Sequence, residues 1–491
     1  MNPLITVYPA RRIHTMDPSL PEANAIAVRG DRIVEVGTLE SLRPWLDAHE
    51  HHVDDQFAEA VILPGLIDPH VHPSMMAMLM ATEWITPEAW DLPGREIPAT
   101  VGRDSYLARL AEIEDAHPSG RPLVSFGWHR QFHGEVVRAD LDALSTARPI
   151  LVWGRSFHEI CCNVAGLELV EAAEGAAWDP HIDLETGRMW ESGMAWALQR
   201  LRPLLLDEGR YEVLMEEVAQ MVHRGGVTTI ADAGFGGMAL PDRELEVLAK
   251  VHEGDQVPFR QYLIPQVATF KRVYGAEAED RIAGLPEHSS ERIRFLRAGK
   301  FFADGAFIAQ LMQLGEPGYI DGHEGAWMAE PDRLVQQLRP TWEAGRQVNV
   351  HVNGDLGVDA TLDAIAQLIA ETPRFDHRTV LHHFGVSTQA QSRRAAALGC
   401  AVQANGYYLR FFGDQFAAEG LGSERASQMT RVGSARRNGM SVALHSDLPM
   451  GPLEPLLAAS VMATRLSQSG VVLGEHERLS PYDAIAAVTI E

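Results

Sequence analysis

The feature that most limits what this chain can fold into is an alternation that begins near Val61. Short apolar runs are each followed by a stretch with helical periodicity. The runs at 61–66, 227–232, 259–267, 293–302, 347–351, 379–383, 401–404 and 441–445 read as strands. Amphipathic segments lie between several of them, at 211–224, 332–344, 358–371 and 390–398. Strands alternating with helices argue for a parallel sheet covered by helices, an α/β class, and eight such units suit a (β/α)8 TIM-type barrel. Residues 73–206 break the rhythm and are far too long for one connecting loop. They are expected to form an inserted subdomain with strands of its own, at 123–127 and 150–153. Ahead of the alternation, residues 1–60 read as short strands and turns. The runs 25–29 and 32–36 flank Gly30-Asp31, a hairpin signal because glycine tolerates positive φ. The organisation expected is a small β unit at 1–60 and a large unit at 61–491 carrying the 73–206 insertion.

The run VILPGLIDPHVHP, 61–73, holds the most chemistry. Alternate side chains on a strand share a face, so His70 and His72 point the same way. Two imidazoles aimed at one point make a pincer for a divalent cation, and imidazole suits zinc, iron and nickel. A pair of exposed strand-end histidines is the plainer alternative. Four further strand ends that carry ligand-type residues argue against it.

Acidic residues outnumber basic ones by 67 to 42, a net charge of −25, with no basic cluster to offset it. That balance argues against nucleic acid or an anionic membrane as partner. The three cysteines, Cys161, Cys162 and Cys400, make neither a disulfide framework nor a CxxC site. The opening MNPLITVYPARR has no apolar signal stretch, and nothing approaches the roughly 20 apolar residues of a membrane helix. A cytoplasmic protein with a small-molecule substrate, in the form of a monomer or homodimer, is the expectation.

The segment LPGLIDPHVHP, with AIAVRGDRIVEVG at 25–37 upstream, resembles the amidohydrolase superfamily of metal-dependent hydrolases. GKFFADGAF at 299–307, VHVNGD at 350–355, LHHFG at 381–385 and HSDLP at 445–449 resemble its branch of N-substituted formamide deformylases, often labelled amidohydrolase 3. The resemblance runs through the whole chain in order and implies the barrel, with the insertion roofing the active site. It also implies a small β-sandwich completed by C-terminal strands. The sequence stops at Ile490-Glu491 within what resembles the family's AxTIxxA helix, so a truncated small domain is expected.

The resemblance further implies a metal-ligand set of His70, His72, Lys300, His351, His383 and Asp447 at the C-terminal ends of strands. His382 remains an alternative to His383, because register is not fixed by sequence; on a regular strand it would face the opposite side. A lysine aimed into a barrel is costly unless paired or modified. In the superfamily the lysine matching Lys300 is often carboxylated and bridges two metals; a simple pair with Asp304 is the plainer alternative. Glu191 is a second carboxylate that could reach the metals. The expected cofactor is one or two divalent ions, zinc first. Metal binding brings the pKa of water to roughly 7, and Asp447 would shuttle its proton to the departing nitrogen.

For substrate contacts the insertion offers Trp128, His129, His133, Arg155, His158 and Glu191. Met75, Met76, Met78 and Met80, with Trp84 and Trp90, would favour an apolar or aromatic cargo if they face the cleft, and are otherwise core. Asp304, Asn353 and Asp355 read as supporting or turn residues. The expected reaction is hydrolysis of a C–N bond in an N-substituted amide. A cyclic amide or imide hydrolase, an aminohydrolase, and a silent binding or regulatory relative are the alternatives. Deaminases of the superfamily usually carry Glu three residues after the strand-five histidine, where this chain has Gly354.

Overall fold

Strands buried on both faces have no polar side to show, which is why the sequence gives continuous apolar runs rather than alternation. The computed structural model describes residues 4–207, 209–254 and 257–491. In it Leu66–Val71, Val227–Phe235, Arg260–Pro265 and Ile293–Phe295 form a four-stranded parallel sheet in chain order. Ala298–Phe302, Gln347–Val352, Val380–His383, Ala401–Asn405 and Val442–His445 form a five-stranded parallel sheet, also in chain order. The two sheets meet along both edges. At one seam Leu296 N–H donates to Leu263 O (3.0 Å) and Gln266 bridges Lys300. At the other, Asp447 N–H donates to His70 O (3.0 Å) and His72 N–H to Leu448 O (2.9 Å).

Two sequence expectations need correction. The run at 61–66 is not the first strand of the large sheets. Val61–Ile62 pairs with Arg12 and Ile13 of the N-terminal sheet, and the strand proper is Leu66–Val71. Pro64 and Gly65 separate the two: proline has no N–H to give a ladder, and a Cβ on Gly65 would lie 2.1 Å from Thr228 Oγ1. The run at 293–302 is two strands, because the chain changes partners at Leu296-Arg297. Ile293–Phe295 pairs with Arg260–Pro265, whereas Ala298–Phe302 pairs with Gln347–Val352.

Residues before Val61 build a sheet from Ile5–His14, Glu22–Arg29, Arg32–Gly37 and His51–Val53, with Val61–Ile62 added. Gly30 sits at φ 60° in the expected hairpin. Helix Leu39–Leu46, capped by the Thr38 hydroxyl on Ser41 N–H, buries Leu42 and Leu46 against Ile5, Val7, Ala25 and Ala27. Within 73–206 a five-stranded sheet runs through Glu83–Trp84, Leu123–Trp128, Ile150–Gly154, Glu159–Cys162 and Arg188–Trp190. Among the described residues no helix is long and apolar enough to cross a membrane.

The C-terminal segment is locked to the start of helix Val432–Arg437 by a buried ion pair, Arg431 with Glu477 (3.1 Å). Glu477 also accepts from Ser434 N–H and Oγ, at 2.6 and 2.5 Å. Removing one partner strands the other charge in the interior. Glu477→Ala is therefore expected to cost about 3–5 kcal/mol, read as a lower urea midpoint; an unmoved midpoint would show that the pair carries no stability.

Candidate metal centre

His70 lies in Leu66–Val71, and His72 caps the all-buried helix Pro73–Met80, with Pro73 at its first position. Asp447 follows Val442–His445 in a left-handed turn, φ 59°, and its N–H bonds the His70 carbonyl across the seam. Three acceptor atoms then face one another. His70 Nε2 lies 3.1 Å from His72 Nε2, and Asp447 Oδ1 is 3.4 and 3.2 Å from those two nitrogens. Ligands about 2.0–2.1 Å from a tetrahedral ion stand roughly 3.3–3.4 Å apart, so this trio fits one divalent cation.

The His70 tautomer is fixed from behind. Asn349 Oδ1 can only accept, so His382 Nε2 (3.0 Å away) carries the proton. His382 Nδ1 then accepts from His70 Nδ1–H at 2.6 Å, leaving the His70 Nε2 lone pair turned to Asp447. The expectation that His382 would face the opposite side is therefore wrong. It points inward beneath His70. His383 also reaches the cleft because its backbone leaves the strand conformation: φ is 70° there and 48° at Phe384. His383 Nδ1 lies 3.7 Å from Asp447 Oδ2, and its buried Nε2 has no hydrogen-bond partner.

Lys300 and His351 line the same cleft. Burial lowers the Lys300 ammonium to about 7 against the opposing pull of Asp447 and Asp232, and its Nζ has no hydrogen-bond partner. The alternative pair with Asp304 does not form. That carboxylate accepts from the N–H groups of Gln313, Asn353 and Gly354 instead. The His351 ring lies 4.5 Å from that of His383, with Asn353 Nδ2 3.0 Å from its Nε2. Burial, then Lys300 and neighbouring histidines, hold His70 and His351 well below the usual imidazole range. Burial and the histidines around it do the same for His383. Neutral imidazoles are what a cation needs. His72 is the exception: burial pulls it down, but Asp232 and Asp447 outweigh that and raise it to about 9.

Three nearby residues escaped the sequence reading. His445 stacks on His70 (4.5 Å between rings, 20°), and neither of its nitrogens has a partner. It sits two residues before Asp447, so strand alternation could have found it. Asp232 lies 3.8 Å from His72 Nδ1. Asp68 ties the seam by accepting from the N–H groups of His70 and Ser446.

Of the six insertion residues, two reach the cleft. His158 sits in the turn before Glu159–Cys162 and Glu191 follows Arg188–Trp190; the carboxylate accepts from His158 Nδ1 at 3.1 Å. Burial lowers the His158 pKa, but Glu191, with Asp447 and Glu159, outweighs this and raises it. The other four are structural. Trp128 Nε1 donates to Gly134 O, His133 bonds Thr100 O, and His129 caps the short helix Arg130–His133. Arg155 is fully buried against Glu88 and donates to Pro449 O and Met450 O, clamping the loop after Asp447. Met75 lines the cleft, whereas Met76, Met78, Met80, Trp84 and Trp90 are core, packed where the helix after His72 meets the insertion. The three cysteines are buried and unpaired, and burial pushes Cys161 and Cys400 up to about 12, which leaves them inert.

The profile of the amidohydrolase family matches residues 58–491. The chain belongs to the amidohydrolase family. This amidohydrolase is 25% identical to the YtcJ amidohydrolase of Bacillus subtilis (strain 168), over 97% of the chain and 87% of that protein. It is 22% identical to an N-substituted formamide deformylase of Arthrobacter pascens, again over 97% and 87%. Its fold is shared with the crystal structure of an uncharacterized metal-dependent hydrolase from Pyrococcus horikoshii OT3. There the TM-score is 0.73 at 18% identity, covering 99% of this chain and 91% of that one.

A cation held by this trio would displace the proton that Asp232 and Asp447 favour on His72. Zinc binding between about pH 7 and 8 is therefore expected to release about one proton per ion, and affinity to fall as pH drops. Calorimetry in buffers of different ionisation enthalpy reads this; no buffer dependence would remove His72 from the ligand set.

Proposed function

We propose that this amidohydrolase is a metal-dependent enzyme that hydrolyses the C–N bond of an N-substituted amide. The observation that carries the reading is the convergence of His70 Nε2, His72 Nε2 and Asp447 Oδ1 within 3.1–3.4 Å of one another. His351, His383 and Lys300 line the same cleft and are read as ligands of a second ion. Lys300, if carboxylated at its neutral amine by carbon dioxide, would supply a carboxylate to hold the ions. We read the parallel strands as one closed eight-stranded barrel, with the two segments at 293–302 counted as one. The sheet at residues 5–62 is read as a small separate domain, and 73–206 as the lid.

When bound, the metal, read as zinc, polarises the carbonyl and acidifies water. The protein groups do the rest. Asp447 takes a proton from the attacking water and passes it to the leaving nitrogen. His158, whose protonated form Glu191 favours, faces the cleft and donates to the carbonyl oxygen as negative charge develops there. Arg155 holds the Pro449–Met450 backbone and so fixes Asp447. The aminohydrolase alternative is disfavoured at Gly354: a Cβ there would lie 2.0 Å from Gln313 O, leaving no room for a proton-shuttling glutamate.

Metal analysis of the purified protein with a panel of N-substituted amides tests the proposal. Bound metal without turnover of any amide would favour a silent binding relative. Asp447→Asn is expected to lower kcat by about 10²–10⁴-fold while the far-UV spectrum is unchanged; full activity would eliminate Asp447 as the shuttle. Lys300→Ala is expected to bind fewer ions per chain by mass spectrometry, and an unaltered complement would overturn that role.

A further inference from the structure

The cleft is a chamber of about 670 Å³ with walls of three kinds. Its floor is the histidine, lysine and aspartate cluster. Its apolar walls include Met75, Phe157, Met194, Leu198, Phe302 and Ile308. Three cations also line it, Arg202 from helix Ser192–Leu205 and Lys271 and Arg272, both exposed to solvent and so at its mouth, from helix Val267–Tyr274. Met194, Leu198 and Arg202 recur every fourth residue, so one helix face presents apolar wall and then the charge.

These cations stand out in a chain of net charge −25. Neighbouring Arg243 pairs with both Glu212 and Glu246. Among the described residues, by contrast, no carboxylate lies within ion-pair distance of Arg202, Lys271 or Arg272. Arg202 Nε is buried with no hydrogen-bond partner, and Arg272 reaches only Thr269 Oγ1, at 3.4 Å. The acid that acts on Arg202, Glu244, is itself turned to Gly236 N–H, and burial with the charge of Asp232 raises it to about 8. The chamber's own carboxylates are Glu191, held by His158, and Asp447 on the floor. An acidic surface around an unpaired cationic mouth makes that mouth the place where an anion is favoured.

We propose that Arg202, Arg272 and Lys271 form an anion subsite, so that the amide cleaved at the floor carries a carboxylate at the far end of an apolar body. The placement of the scissile bond rests on the hydrolase reading above; the subsite itself does not. The body lies against the apolar walls, and the carboxylate accepts charge-assisted hydrogen bonds from the two guanidinium groups. The amine product is then a zwitterion, which needs an exit through the same cationic mouth.

The test is a pair of equal-sized compounds, 4-(formamidomethyl)benzoate and 4-(formamidomethyl)benzamide, which differ in charge. The zinc-loaded protein is expected to prefer the carboxylate by roughly tenfold or more in kcat/KM, with the preference shrinking at high salt. Arg272→Gln, at an exposed position, and Arg202→Gln are each expected to bring the ratio toward one by raising KM for the carboxylate. Equal turnover of the two compounds, or preference for the benzamide, overturns the subsite and leaves the hydrolase reading standing. If neither compound is cleaved, that reading fails for this chemistry and calorimetric binding decides the subsite. Tighter binding of the benzoate that Arg272→Gln weakens supports it, and equal binding of the two overturns it.

Discussion

A single backbone hydrogen bond, from Asp447 N–H to the His70 carbonyl, holds the candidate centre together. It joins the ends of strands that lie almost at opposite ends of the chain. With its neighbour, from His72 N–H to Leu448 O, it sets the distance between the two sides of the metal trio. Asp68 reinforces the seam from below by accepting from N–H groups on both sides. Each of these contacts is between main chains or from a short buried side chain. The ligand atoms therefore inherit their spacing from sheet geometry rather than from flexible rotamers, and the site is as rigid as the ladder that carries it.

The parallel strands and the helices between them were legible because double-sided burial leaves a plain record: continuous apolar runs, then helical periodicity. The expected helix at 211–224 is found as Arg210–Arg224, and that at 358–371 as Asp355–Glu371. Ends were harder to read. Pro64-Gly65 sits in the middle of an apolar run, and pattern alone does not say which side of that break belongs to which sheet. At the centre, strand spacing named His70 and His72, and the family resemblance named the other side chains that gather there. Spacing failed at His382, because two adjacent inward side chains need a left-handed residue and nothing local in LHHFG announces one. His445 and Asp232 were overlooked although period two from Asp447 was available for the first.

The insertion was the least legible part. Trp128, His129, His133 and Arg155 share the composition of a substrate site, yet they hold the insertion together. Polar side chains that satisfy backbone carbonyls in a buried loop look the same in sequence as polar side chains that meet a ligand. Only the partners separate them. Arg155 is the sharpest case: its charge is spent on Glu88 and two carbonyls, whereas Arg202 is left unspent in the wall of the chamber.

The same accounting applies on the floor. His383 Nε2, both nitrogens of His445 and Lys300 Nζ are buried without a hydrogen-bond partner, all close to the metal trio. Each such group costs about 1–3 kcal/mol in a folded interior. A fold does not gather several of them at one point unless something repays the desolvation. Water could satisfy one or two, but each neutral imidazole keeps one lone pair that no proton fills. A cation would take one lone pair from each imidazole it touches, and ring nitrogens of His70, His383 and His445 lie around one point. Stability and metal binding are then one equilibrium, because whatever fills the centre removes a cost that the bare fold would carry.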